Sequence, residues 1–116
     1  MEDCIFCKIV RGAIPSRKIY EDEFVFAFHD IHPVAPVHFM LIPKEHVTSM
    51  AHLQNKHETA MGRIMVLAHR LAEQEGATDG FRTIVNTGRV ARQDVMHLHV
   101  HVIGGKDVLP PMLVRV

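Results

Sequence analysis

The chain has no tryptophan, a single tyrosine and only two cysteines among its 116 residues. It also has no net charge, because 13 basic side chains balance 13 acidic ones. That balance argues against the broad basic surface that nucleic-acid binding needs, and no nucleic-acid partner is expected. No stretch approaches the roughly 20 apolar residues of a membrane span, so no membrane partner is expected. The N-terminus carries Glu2 and Asp3 instead of a basic-then-apolar leader, and the expected location is the cytoplasm. A disulfide between Cys4 and Cys7 would close too short a loop to stabilise much, and in a reducing compartment it would be transient. A buried thiol pair without a role and a metal site are the other readings of Cys-x-x-Cys. A thioredoxin-type site needs a different setting. The length fits one domain, residues 1–116, with a core over 1–103 and a tail over 104–116.

What the chain does have is histidine. His97, His99 and His101 alternate with Leu98, Val100 and Val102 ahead of Gly104-Gly105. The spacing reads as a β-strand over Met96 to Ile103. Alternation puts the three imidazoles on one face, roughly 6–7 Å apart, with Leu98, Val100 and Ile103 toward a core. Three histidines spread this far do not make a compact tetrahedral metal site by themselves. Imidazole is, however, a nucleophile and an acid or base near neutral pH.

Further strands are expected at Lys18–Tyr20, Phe24–Phe28, His38–Ile42 and Phe81–Asn86. A short helix is expected over residues 3–10, and a helical turn over Thr48–Leu53. A long helix is expected over Asn55–Gln74, capped by Asn55 with Glu58 reaching back. Its apolar stripe is Met61, Ile64, Met65, Ala68, Leu71 and Ala72, read as core. Hairpins plus one long helix give an α+β domain with a mainly antiparallel sheet.

The segment His-Leu-His-Val-His-Val-Ile resembles the defining motif of the histidine triad (HIT) superfamily. The branch it most resembles is the bacterial-type histidine triad nucleotide-binding proteins, the purine nucleoside phosphoramidases. Ile14-Pro15, Ala27-Phe28-His29-Asp30-Ile31, Ile42-Pro43-Lys44 with His46, Val85-Asn86 and Gln93 carry the resemblance along nearly the whole chain. It implies a HIT-like fold with a five-stranded sheet, one long and one or two short helices, and a homodimer. The apolar tail Leu109–Val114 would cover the partner subunit. It also implies hydrolysis of nucleoside 5′-phosphoramidates to a nucleoside monophosphate through a nucleotidyl-histidine intermediate. The alternatives are a dinucleoside polyphosphate hydrolase or nucleotidyl transferase, and a nucleotide- or zinc-binding interaction module.

Carried over by resemblance, His99 is the nucleophile, flanked by His101 and His38, with Asn86 and Gln93 near the phosphate and leaving group. Ile5, Phe6, Ile9, Phe28 and Ile31 would form the base slot, with Asp30 on the ribose hydroxyls and His29 beside the ribose. Asn86, His99 and His101 would also bind the nucleotide. The resemblance implies a structural zinc on Cys4, Cys7, His46 and His97, a closed Cys2His2 set. Two departures stand out. Asp94 replaces a serine found in many relatives and is expected to point away from the phosphate, since a carboxylate cannot donate to it. Ala91-Arg92 replaces paired glycines. The tail lacks the tryptophan that some relatives place near the leaving group.

Overall fold

A computed structural model describes residues 3–113. Residues 1 and 2, and residues 114–116 at the end of the expected apolar tail, lie outside it. The elements run α1 (Ile5–Val10), β1 (Lys18–Glu21), β2 (Val25–His29), β3 (Val37–Pro43), α2 (Glu58–Gln74), β4 (Phe81–Ile84) and β5 (Val100–Gly104), with short 3-10 turns at Met50–His52 and Asn55–His57. The five strands form one sheet in the order β1-β2-β3-β5-β4. Every pairing is antiparallel.

The sheet is covered on both faces, and this explains β3. All seven of its residues are buried. On one face Val37, Phe39 and Leu41 join Val25, Ala27, Val100 and Val102 beneath Ile64, Leu67, Ala68, Leu71 and Ala72 of α2. On the other, Met40 and Ile42 join Phe26 and Phe28 beneath Phe6 and Ile9 of α1. A central strand buried on both sides reads as a continuous apolar run. The β1–β2 turn is held by Asp22, whose carboxylate accepts the Phe24 and Val25 N–H groups at 2.8 and 2.9 Å. Gly104 permits the close approach of the residues before β4. A Cβ there would lie 2.9 Å from the Ala77 Cβ.

Five local expectations change. The α2 stripe runs through Leu67, while Met65 is 60% exposed, because one step of the 3.6-residue period carries it past the sheet. Asn55 does not cap α2 but begins a 3-10 turn, in which Gln54 N–H donates to His57 Nδ1 at 2.9 Å. The expected strand at Phe81–Asn86 ends at Ile84. Finally, the strand at the histidines starts at Val100, not Met96. Its ladder with β3 ends at Leu41 opposite Val100, and Leu98 N–H donates instead to Val47 O at 2.8 Å. The alternation of faces persists through this extended lead-in. Leu98, Val100 and Val102 enter the α2-side core. Ile103, expected with them, falls on the histidine side by the same alternation.

Candidate active site and metal centre

Phe6 on α1 meets both His97 and His99 edge-on, with ring centroids 5.9 and 5.3 Å away. His99 and His101 lie 5.0 Å apart, centroid to centroid. The three imidazoles therefore line the α1 side of the sheet, and their partners fix what each nitrogen does. His99 Nδ1 lies 2.8 Å from the His97 carbonyl, an acceptor only, so Nδ1 carries the hydrogen and donates. In the neutral ring Nε2 then carries the lone pair, and the Asp94 carboxylate is its neighbour at 3.3 Å. His38 Nδ1 accepts the Val34 N–H at 3.1 Å, which puts hydrogen on its Nε2. That Nε2 sits 3.0 Å from His101 Nδ1 and 3.2 Å from Asp30 Oδ2. With His101 Nδ1 accepting, its hydrogen lies on Nε2. Burial lowers the pKa of both His38 and His101, against the opposing pull of the Asp30 charge. The pair is thus neutral at rest beside a carboxylate that favours its charged form.

Asn86 lies two residues beyond Ile84, which is opposite His101. Asn86 is half-buried and follows the end of β4, where the ladder with β5 has stopped. Asp30 Oδ1 accepts the His32 N–H at 2.8 Å, so the carboxylate is already held between the loop and His38. Phe6, Ile9 and Phe28 are packed together as core, whereas Ile5 and Ile31 stand at the surface, 48% and 83% exposed. His29 does not join the group. It lies on the α2 face of the sheet, where Nε2 approaches Glu75 Oε1 at 3.4 Å. Its parity with Val25 and Ala27 could have revealed this.

Gln93 is buried and fully employed. Its amide donates to Thr48 O at 2.7 Å and Val95 O at 3.0 Å, and its Oε1 accepts Gly88 N–H at 2.9 Å. It staples the loop ahead of the histidines and has no amide hydrogen left for a leaving group. In the same loop Arg92 adopts φ +63°, the left-handed region where glycine is favoured. Asp94 reverses its expectation. The side chain turns inward, with Oδ1 3.3 Å from His99 Nε2, although it remains 77% exposed.

The second cluster is Cys4, Cys7, His46 and His97, whose ligand atoms all lie within 4.8 Å of one another. Cys4 caps α1, its Sγ accepting Cys7 N–H at 3.3 Å, so one helical turn brings both thiols together. His97 Nε2–H donates to Pro43 O at 2.8 Å, which turns the Nδ1 lone pair toward Cys4 and Cys7 at 3.3 and 3.6 Å. His46 Nδ1 lies 3.4 Å from Cys7 Sγ. The edge of a tetrahedron built from zinc–sulfur and zinc–nitrogen bonds is about 3.5 Å, so the donor set fits such an ion. Burial pushes His97 down to about 4 and lowers His46. Both are therefore neutral, as ligands must be. Burial and the neighbouring Cys4 raise the Cys7 thiol.

A histidine with Nδ1 held as donor, a hydrogen-bonded imidazole pair beside it and an antiparallel sheet beneath make up the candidate site. The chain belongs to the HIT-domain family, whose model matches residues 11–108. It is 46% identical over 113 residues to the purine nucleoside phosphoramidase of Escherichia coli K12, covering 97% of this chain and 94% of that one. It is 45% identical over 104 residues to the protein HitA of Neisseria gonorrhoeae, covering 90% and 97%. Among solved structures, a HIT family hydrolase from Clostridium thermocellum superposes with a TM-score of 0.91 at 42% identity, covering 97% and 99%. Among the described residues, no helix is long and apolar enough to cross a membrane.

Proposed function

We propose that the chain is a purine nucleoside phosphoramidase working through His99. The observation that carries this is the His97 carbonyl, which holds the His99 hydrogen on Nδ1, so that the neutral ring attacks through Nε2 once that nitrogen has given up any proton shared with Asp94. In the first step Nε2 bonds to the α-phosphorus and the P–N bond breaks, its electron pair going to nitrogen. The His38–His101 pair, neutral at rest, takes a proton from solvent as the phosphoryl anion arrives beside Asp30, and gives it to that nitrogen. Water then attacks phosphorus, its proton returns to the pair, and the P–Nε2 bond breaks to release the nucleoside monophosphate. Asn86, two residues beyond Ile84 and its partner His101, would offer its amide to a phosphoryl oxygen. The accessible Ile5 and Ile31 would meet the base, backed by the buried Phe6, Ile9 and Phe28, with Asp30 near the ribose. His29 and Gln93 take no part.

Cys4, Cys7, His46 and His97 would hold a structural zinc. Four protein ligands leave it no open position, and its chemistry is to tie α1 to the histidine segment. A second copy of the chain would cover the edge strand β4, Met65 and Val66 on α2, and the tail, where Val108 is 99% exposed. Sedimentation tests the dimer. Hydrolysis of adenosine 5′-phosphoramidate tests the function. AMP released by the wild type and not by His99→Ala supports the reading. Turnover that survives the substitution overturns His99 as nucleophile, and turnover only of dinucleoside polyphosphates moves the reading to that class.

A further inference from the structure

Among the described residues, Asp94 is the one charged side chain within 4.0 Å of the atom that would attack phosphorus, and the proposed reaction gives it no task. Its Oδ1 is fixed by the Val95 N–H at 2.9 Å and faces His99 Nε2 at 3.3 Å. Among the described residues, His99 is its only ion-pairing neighbour within 4.0 Å. No lysine or arginine neutralises it. A phosphoryl group approaching Nε2 must displace this carboxylate slightly, yet the short side chain keeps it beside the reacting centre. Beside it lies a cavity of about 380 Å³, lined by Asp94 and Asp3, by Ile5, Val95 and Met96, and by Thr48 with Cys4 and His46 of the metal cluster. Its two carboxylates share the walls with aliphatic side chains and with one edge of that cluster.

We propose that Asp94 is a specificity-determining residue that selects substrates by the charge of the leaving group. The proposal rests on the phosphoramidase reading and adds to it. When a P–N bond breaks, the electron pair stays on nitrogen, nitrogen takes a proton, and positive character develops there. When a P–O–P bond breaks, the leaving phosphate gains negative charge. A fixed carboxylate favours the first and opposes the second. A cationic centre carried on the leaving amine is attracted by the same carboxylate, and an anionic one is repelled. For a pendant charge about 6 Å from a carboxylate that is 77% exposed, in a dielectric of about 40–80, the effect is about three- to tenfold per unit charge.

The test compares three adenosine 5′-phosphoramidates made from propylamine, 1,3-diaminopropane and β-alanine. Their pendant groups are neutral, cationic and anionic. The wild type is expected to show kcat/KM in the order cationic, neutral, anionic. Asp94→Asn, which keeps the acceptor for Val95 N–H, is expected to shrink the cationic-to-anionic ratio at least fivefold, as is Asp94→Ser. Raising salt should compress the ratio in the wild type and not in the variants. A merely structural role would change all three substrates equally. An unchanged ratio in both variants overturns the proposal while leaving the phosphoramidase reading intact. If no phosphoramidate turns over in the wild type, that reading fails instead. The filter is then read from competitive binding of adenosine 5′-alkylphosphonates bearing the same pendant groups, where a flat order overturns it.

Discussion

Acidifying the metal-free protein should destabilise it through His97, by an amount the structure sets. His97 is fully buried with Nε2–H given to Pro43 O, and burial depresses its pKa to about 4. In the unfolded chain the same imidazole titrates near 6.5. Above pH 6.5 both states hold it neutral, and its contribution is fully present. As pH falls from about 6.5 toward 4, the unfolded state binds the proton first and stability is lost. At pH 4.5 the loss is about 2.5 kcal/mol. The assay is urea unfolding of chelator-treated wild type and His97→Gln at pH 7.5 and 4.5. Glutamine can still donate to Pro43 O but does not titrate. His38, His46 and His101 titrate in both proteins, so their effects cancel in the difference. The wild type's advantage over the variant should shrink by about 2.5 kcal/mol between the two pH values. A gap that stays constant would refute the claim that His97 is held neutral by burial.

Arg92→Gly should stabilise the fold by about 1 kcal/mol in thermal unfolding, by relieving a side chain at φ +63°. Gln93→Leu should cost about 1–3 kcal/mol, since it orphans Gly88 N–H and Thr48 O, and should raise amide hydrogen exchange in residues 88–95. Cys4→Ser with Cys7→Ser should abolish zinc binding, read as bound metal by atomic absorption, while retention of one equivalent would exclude the cluster as the site.

Much of the site was legible because it depends on local periodicity. Alternation assigned His97, His99 and His101 to one face, and this survives even where the ladder stops at Val100. One helical turn from Cys4 to Cys7 brings two thiols together in any chain that forms α1. The β2 segment shows the same rule applied incompletely. Phe26 and Phe28 line the α1 face, so His29, odd like Val25 and Ala27, had to lie on the other. Gln93 was misread for a different reason. Its motif position suggested chemistry, but its hydrogen bonds run to Thr48 and Gly88, partners that no local pattern reveals.

The sequence by itself determined the strand and helix succession, the two apolar faces and the common side of the three histidines. These follow from backbone geometry with periods of 2 and 3.6 residues. Only the tertiary structure decided which nitrogen of His99 is free, that His97 turns its Nδ1 to the thiols, and that Asp94 points inward. Each of those depends on one backbone carbonyl or one loop conformation brought near by distant chain segments. Hydrogen-bond direction over about 3 Å is fixed by that placement and leaves no periodic mark in the sequence.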